Sequence, residues 1–580
     1  MSSYNEAVNK DISCLEHLGG YIMKNILNMP INEMVDLDFD CTCGKHHTFP
    51  VHDIDIKKGA INDLPKIAAP FKDSSILVVF DNHTYEIAGK KAVELLKANG
   101  FSHVKELLFD VGDDILLPDE KTLGRILQEE DLDCELVIGV GSGVINDSCK
   151  FVTSRTKLPY IIVATAPSMD GYVADGAPII SHGYKYSPLA HLTYGLIGDT
   201  DILKTAPQDL IQAGFGDVVG KITALTDWDL AVKANGDDRC DTCVQLVDKA
   251  LDKCFSTVDG LPQRDPEALG NLMEALTISG VAMGLVNISR PASGAEHMLS
   301  HYWEMDYIAR GLNPNHHGIQ VGVATPVIAR IFELCEDILP AGVMDWCASP
   351  AEIKALLKKG GAPTSPKEIG IDKDLFHRSI VEGYKVRPRY SILQFAKDHG
   401  RLEIIADILT EEIYGNAKNI DYSSLFNKEE RKMKIAFGCD PNATDFKKEL
   451  MEFTKGLGYD VVDYGSDDPI YANVAFAVAK DVANHTCDRG ILLCGTGIGV
   501  SIAANKVKGA YAACIHDVYQ AQRAELSNNA NIITMGSQII GINLAKELVK
   551  EYLSCTFDTH SRSMPKVQRI IDYENDLISA

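Results

Sequence analysis

No run of apolar residues in this chain approaches the ~20 needed to cross a bilayer, so a membrane-spanning role is not expected. The opening MSSYNEAVNKDISC lacks a basic segment followed by an apolar stretch, and no signal peptide is expected. Basic residues are scarce, 56 Lys and Arg against 81 Asp and Glu, for a net charge of −25 without long blocks of one sign. That balance argues against nucleic acid as a partner, because a phosphate backbone calls for a basic face. It leaves room for small phosphates, which need only a local pocket. No repeat of solenoid period is visible. A disulfide framework is not expected either: fifteen cysteines, an odd number spread over a long chain, read as reduced thiols of a cytoplasmic enzyme. The cysteines of CTCGKHH at 41–47 stand only two apart and no second CxxC pair is seen to follow, so no metal is assigned there.

What is present is ordinary globular material, 580 residues that are 46% apolar and 24% charged. Such a length implies roughly three or four domains. From about residue 74 short apolar strands (SSILVVF ending at Asp81, CELVIGVG, LPYIIVATAPS) alternate with helical periods and run into Gly-, Pro- or Ser-rich turns. This alternation implies an α/β domain with a parallel sheet covered on both faces, its ligands bound beyond the carboxyl ends of the strands. After about residue 205 long helical segments dominate. A polar stretch at 421–432 reads as a linker, and MKIAFGCD restarts strand–helix alternation. The expected organisation is a dinucleotide domain at 1–205, an all-helical domain at 206–420, the linker, and a separate doubly wound α/β domain at 433–580.

Three segments of the first half carry metal-type chemistry. AGFGDVVGK places Asp217 in a helical run with Lys221 one turn later. SRPASGAEHMLSHYWEM has His297 and His301 four apart on one helix face. NPNHHGIQVGV has His316 and His317 at a helix entrance. One Asp and two His from separate elements suit a catalytic divalent cation with an open position for substrate. A helical histidine is nonetheless more often a packed or surface residue, so spacing alone does not decide. Two glycine-rich turns, GVGSGVIND at 139–147 and LLCGTGIGVSIAANK at 492–506, both follow apolar strands, and the second has a cysteine at its mouth.

GVGSGVIND, TAPSMDGYVADGAP, GFGDVVGK, SRPASGAEHMLSH and HHGIQVGV, in this order over about residues 15–425, resemble the sn-glycerol-1-phosphate dehydrogenases of the glycerol dehydrogenase and iron-type alcohol dehydrogenase superfamily. The resemblance implies a Rossmann-like dinucleotide domain facing a helical metal domain. It also implies NAD or NADP, and one divalent metal on Asp217, His297 and His317, with His316 a bystander. Zinc fits that ligand set; nickel or iron stays open. Gly141, Ser142, Gly143 and Asp147 would lie at the pyrophosphate, Thr165, Ser168 and Asp170 near nicotinamide and substrate, and His301 against substrate. Asp81 would contact the adenosine ribose and favour NAD over NADP, unless it is a plain turn residue.

MKIAFGCD, GILLCGTGIGVSIAANKV, CIHDVYQAQ, NNANIITMGSQIIG and SRSMPKVQRI resemble the sugar-phosphate isomerases of the ribose-5-phosphate isomerase B and galactose-6-phosphate isomerase family, over 433–580. That resemblance makes Cys494 the base that moves a proton through a cis-enediolate, its thiolate favoured by the following helix start. Amides of Thr496 through Gly499 (with Gly495, Gly497 and Gly499 in the loop) would form an oxyanion hole. Asp440 would orient substrate hydroxyls, and Arg562, Lys566 and Arg569 would grip phosphate, often across a dimer interface. Two family histidines are replaced, by Pro441 and Ser527; His516 lies in the preceding loop. The expectation is a bifunctional cytoplasmic homo-oligomer acting on small phosphorylated polyols and sugars. The alternatives are glycerol-1-phosphate and ribose-5-phosphate activities without a shared intermediate, or a C-terminal domain that only senses sugar phosphate.

Overall fold

The computed structural model describes residues 26–182, 184–415, 432–557 and 561–579; apart from Lys432, the linker expected at 421–432 lies outside them. The chain divides into two compact units, Met1–Tyr422 and Ser423–Ala580.

Among the described residues the first strands of the first unit form an antiparallel hairpin, β1 (Leu37–Asp40) and β2 (His46–Phe49). β3 (Asp53–Lys57), β4 (Ser75–Asp81), β5 (Val104–Phe109), β6 (Cys134–Gly141) and β7 (Tyr160–Ala164) follow. The small hairpin β8 (Ile179–Ser181) and β9 (Tyr184–Tyr186) precedes β10 (Gly195–Asp199). Six of these strands form one sheet in the order β3-β10-β7-β6-β4-β5, every pairing parallel. β4, β6 and β7 are near-continuous buried apolar runs, as strands covered on both faces must be. The chain leaves β4 for β5 on one side and returns on the other as β6. A crevice therefore opens at the carboxyl ends of β4 and β6, where Asp81 and Gly141 stand.

Among the described residues no strand lies between β10 and Lys434. Counting only the helices used below, α1 (Gly143–Thr156) follows β6. The helical half contains α2 (Gln208–Asn235), α3 (Asp241–Ser256), α4 (Pro266–Val286), α5 (Ala295–Ala309) and α6 (His317–Leu334). α4 corrects the expectation drawn from apolar run length. Its 21 residues, with a mean hydropathy of 1.4 over the most apolar window, are long and apolar enough to span a membrane. That window is 78% buried in the unit, so its all-round hydrophobicity serves a core helix.

α2 and α6 touch backbone to backbone. A Cβ on Gly216 would stand 2.2 Å from the Gly318 carbonyl oxygen, and one on Gly318 would stand 1.9 Å from that of Ala213. Glycine at these positions lets the helices meet closely enough for their neighbours, Asp217 and His317, to converge. α2 also presses on the loop after β7, where a Cβ on Gly214 would come within 1.7 Å of the Pro167 carbonyl oxygen.

The second unit contains β11 (Lys434–Cys439), β12 (Asp460–Asp463), β13 (Arg489–Cys494), β14 (Ala512–Cys514) and β15 (Ile532–Gly536) in a parallel sheet ordered β12-β11-β13-β15-β14. Ile491 and Leu493 of β13 pack into one core and Leu492 into another, the signature of a sheet covered on both faces. The order reverses between β11 and β13, whose carboxyl ends carry Asp440 and Cys494. The α/β, all-helical and α/β sequence of folds read from the residues is what the chain adopts.

The α2–α6 contact leads to a prediction. Gly318→Ala should cost about 1–3 kcal/mol or more through overpacking against backbone that cannot rotate away. Urea unfolding measures this, and an unchanged midpoint would contradict the close contact.

Candidate active sites

In the first unit the ligand atoms of Asp217, His297 and His317 lie within 4.8 Å of one another. α2 supplies Asp217, α5 supplies His297 and His301, and α6 begins at His317. The His297 and His317 ring centroids are 5.2 Å apart, as are those of His301 and His317. His297 Nδ1 is 2.7 Å from Glu296 Oε1, which turns Nε2 toward Asp217 Oδ1 at 3.5 Å. Bonds of ~2.1 Å around a tetrahedral cation separate its N and O ligands by about 3.4 Å, so the spacing fits one. A carboxylate behind a histidine is the usual means of orienting a metal-binding imidazole. Glu296 is itself held by Thr223 Oγ1 at 2.7 Å and the Gly294 N–H at 2.6 Å. His316 stays outside the cluster, its Nε2 3.2 Å from Asp209 Oδ2 at the surface.

Electrostatics favour the ligating forms of two of these donors, Asp217 and His317. Burial would raise the Asp217 carboxyl, but Lys221 and His297 hold it well below the usual carboxylate range. Burial, then the fields of His297 and His301, drive His317 well below the ordinary imidazole value, leaving a neutral ring. Lys221 Nζ, fully buried, bridges Asp217 Oδ1 at 2.7 Å and Asp170 Oδ2 at 2.6 Å. The Asp170 N–H donates to Asp217 Oδ2 at 3.1 Å, tying the loop after β7 to the cluster. Burial and the adjacent Asp217 push the Asp170 carboxyl up.

Sequence reasoning missed the outer wall of this cluster. Arg387 Nη2 lies 2.9 Å from His301 Nε2, which fixes that nitrogen as an acceptor. Burial first, with Arg387 adding to it, brings His301 down to about 4, consistent with a neutral ring. Lys185 on β9 pairs with buried Glu304 at 2.7 Å, and Glu304 Oε2 faces His301 Nδ1 at 3.7 Å. Arg389 donates to Ser289 Oγ at 2.6 Å. The available signal was RPR at 387–389, two arginines around a proline in an acidic chain. Lys150 of α1, also missed, is buried and donates to the carbonyls of Gly171, Ala174 (2.9 Å) and Gly176 (3.2 Å), clamping the loop that bears Asp170.

The residues expected around a dinucleotide gather at the carboxyl edge of three adjacent strands. Asp81 ends β4, Gly141 ends β6, Ser142 caps α1, and the Thr165 N–H after β7 donates to the Gly141 carbonyl at 3.0 Å. A Cβ on Gly139 would meet Tyr160 Oη at 2.7 Å, and one on Gly141 would meet Ile145 Cγ1 at 2.6 Å. Around Gly143 nothing lies closer than Met169 Cγ at 3.7 Å, so the first two glycines serve packing and the third leaves room. Ser168 Oγ is 3.4 Å from Tyr172 Oη. Asp147 pairs with Asn146 Nδ2 at 2.9 Å and is pushed up to about 6 by burial. Asp81 Oδ1 accepts from the Thr84 N–H at 2.8 Å and Thr84 Oγ1 at 2.9 Å, which makes Asp81 a capping residue of its turn.

In the second unit Cys494 Sγ accepts the Gly497 N–H at 3.1 Å. Gly497 has φ +78°, and a Cβ there would sit 2.8 Å from the Met535 carbonyl carbon, so this turn requires glycine. Thr496 Oγ1 lies 3.4 Å from the Ile498 N–H, and a Cβ on Gly499 would strike the Tyr471 ring at 2.4 Å. Asp440, nearly buried, accepts from the Asn442 N–H at 3.0 Å and Nδ2 at 3.2 Å. Ser537 Oγ spans the gap, 3.2 Å from the Asn442 carbonyl and 3.4 Å from that of Cys494. The expected phosphate-binding residues behave differently. Lys566 and Arg569 lie on the last helix (Met564–Ser579) with Arg562 just before it. Glu574 of that helix accepts from the Gly509 N–H (3.1 Å) and Tyr511 Oη (3.0 Å). Those two residues precede β14, at the amino end of a parallel sheet whose carboxyl end holds Cys494.

A buried carboxylate–imidazole cluster beside a glycine-rich strand–helix turn defines the first unit as a dinucleotide-dependent dehydrogenase of the metal-using type. The second is defined by a cysteine and an aspartate at a switch point. Residues 55–207 match the family model for iron-containing alcohol dehydrogenases and 435–570 that for ribose/galactose isomerases. Glycerol-1-phosphate dehydrogenase [NAD(P)+] of Geobacillus thermodenitrificans is 31% identical over 387 residues, 62% of this chain and 96% of the relative. The Pyrococcus furiosus protein of that name is 32% identical over 351 residues, 60% and 93%. The solved ribose-5-phosphate isomerase B of Clostridium thermocellum is 37% identical, covering 25% of this chain and 99% of that one, with a TM-score of 0.24. The chain belongs to the glycerol-1-phosphate dehydrogenase family, with a ribose/galactose isomerase domain fused behind it.

If Glu296 orients His297, Glu296→Gln should weaken divalent-metal binding by roughly 10–100-fold. Metal titration of the apoprotein checks this, and an unchanged affinity would remove Glu296 from that role.

Proposed function

We propose a two-step enzyme that oxidises a tetritol or pentitol phosphate to a ketose phosphate and isomerises the product to an aldose phosphate. The observation that carries this reading is the covalent pairing of an alcohol-oxidation cluster at Asp217, His297 and His317 with a proton-transfer pair at Cys494 and Asp440. Oxidation of glycerol 1-phosphate at its central carbon gives dihydroxyacetone phosphate, which has no evident use for a ribose-type isomerase. A longer polyol phosphate gives a ketose phosphate, the substrate an aldose–ketose isomerase needs.

In the dehydrogenase unit Asp217, His297 and His317 would hold one divalent cation, zinc by its ligand set. A cation held there would polarise the substrate's secondary alcohol and lower its pKa, and a bound NAD or NADP would supply the hydride acceptor. Lys221 and Asp170 hold the Asp217 carboxylate in place. Neutral His301, fixed by Arg387, stands against the substrate, and Arg387 supplies the nearest guanidinium for a substrate phosphate. Gly141, Ser142, Gly143, Asp147, Thr165 and Ser168 bind the dinucleotide. Asp81 meets the ribose through what its capping bonds leave free, favouring NAD over NADP.

In the isomerase unit Cys494 Sγ takes a proton from the carbon beside the substrate carbonyl and returns it to the neighbouring carbon. The Gly497 N–H supports the thiolate, while the remaining loop amides from Thr496 to Gly499 stabilise the cis-enediolate oxygen. Asp440 orients hydroxyls. Pro441 and Ser527 stand where many members of the family have histidines, and the one replaced by Ser527 is tied to ring opening. A tetrose 4-phosphate cannot close a five-membered ring, because its ring-closing oxygen is phosphorylated, and so has no need of a ring-opening histidine. Arg562, Lys566 and Arg569 would grip phosphate in the partner's site of a dimer. The exposed Ile470, Tyr471, Ile498, Ile502 and Ile539 beside the Cys494 loop support such an interface.

A polyol-phosphate panel on the full chain, following nicotinamide reduction and product identity, tests the scheme. Tetritol or pentitol phosphate should be oxidised to aldose phosphate, and oxidation of glycerol 1-phosphate alone would sink it. Cys494→Ala should stop the product at the ketose phosphate with oxidation intact; aldose still formed would remove Cys494 as the base. Arg387→Gln should raise KM for phosphorylated substrate at least tenfold while sparing that for NAD(P), and an unchanged KM would contradict its phosphate role.

A further inference from the structure

The β1–β2 hairpin and the start of α3 share a side-chain cluster that neither active site uses. The turn between the strands is tight: the Cys41 N–H donates to the Lys45 carbonyl and the Gly44 N–H to the Cys41 carbonyl, both at 3.0 Å, with Gly44 at φ +81°. His47 follows on β2, 2% exposed, its Nε2 3.2 Å from Cys43 Sγ and 3.5 Å from Cys240 Sγ. Cys240, which caps α3, has its Sγ 3.7 Å from Cys41 Sγ. Ligand atoms of all four residues lie within 4.8 Å of one another, and all three cysteines are free thiols.

We propose that Cys41, Cys43, His47 and Cys240 form a structural zinc site, separate from the Asp217 cluster, that staples the N-terminal hairpin to the helical half. With Zn–S bonds of ~2.3 Å and Zn–N of ~2.0–2.1 Å, a tetrahedron has S–S edges of about 3.8 Å and S–N edges of about 3.6 Å. The observed 3.7, 3.5 and 3.2 Å lie close to those edges. Three thiolates and an imidazole favour zinc over the oxygen-seeking cations. Four protein ligands close the coordination sphere, which marks a structural rather than a catalytic ion. Thr242 Oγ1 lies 3.3 Å from Cys41 Sγ, the kind of outer-shell contact such sites have. Lys45 and Asp238, paired at 2.9 Å, join the same two segments beside the cluster. The expectation that no second CxxC pair follows CTCGKHH is corrected here. Cys240 opens CDTC at 240–243, 193 residues beyond His47.

The test is metal analysis of the full chain together with cobalt substitution. Wild type and Asp217→Asn should both retain one zinc equivalent per chain through a chelator wash. Both should show a sulfur-to-cobalt charge-transfer band after cobalt exchange. Cys240→Ser should lose that equivalent and the band and melt at lower temperature, whereas His47→Cys, which restores four ligands, should keep the metal. The proposal is overturned if wild type shows no sulfur-to-cobalt band, if Cys240→Ser keeps its full zinc content, or if native protein contains a Cys41–Cys240 disulfide. Should Cys240→Ser fail to fold, the band in Asp217→Asn decides alone.

Discussion

The dehydrogenase unit depends on two helices meeting with no side chain between them. α2 and α6 approach through Gly216 and Gly318, and that approach sets fully buried Asp217 beside half-buried His317. A buried carboxylate is costly unless compensated. The surrounding residues supply the compensation: Lys221 on the next turn, the Asp170 amide from the loop after β7, and His297 from α5. Each of these is held in turn, Asp170 through the loop that Lys150 clamps and His297 through Glu296. The helix contact, the buried charge and the loop geometry form one linked set.

The isomerase unit solves a different problem with similar means. A parallel sheet reverses its strand order between β11 and β13, and Asp440 and Cys494 stand at the gap that results. Gly497 adopts a left-handed conformation against the Met535 backbone, which lets its amide turn back onto the Cys494 sulfur. The tail helix is fastened through Glu574 to Gly509 and Tyr511, at the end of the sheet opposite Cys494.

Much of this was legible in the residues because the signals are local. Strand–helix alternation, the switch to helices after residue 205 and the glycine-rich turns follow from the periodicity of apolar residues and from turn chemistry. The choice of His317 over His316 rested on family resemblance; in the structure His316 faces Asp209 at the surface while His317 begins the helix that meets α2. Arg387, Glu304 and Lys185 were not legible, because their meaning lies in contacts across 80 or more residues. α4 looked like any apolar helix until its burial assigned it to the core.

By itself the sequence determined the order of folds and the two glycine turns, since each is written in spacing and residue type over a few turns of chain; the ligand set Asp217, His297 and His317 is what the family resemblance implies. Only the tertiary structure decided which carboxylates and guanidinium surround those ligands, and that Cys240 joins Cys41, Cys43 and His47. Packing brings together residues that no period relates, and their chemistry exists only once they are in contact.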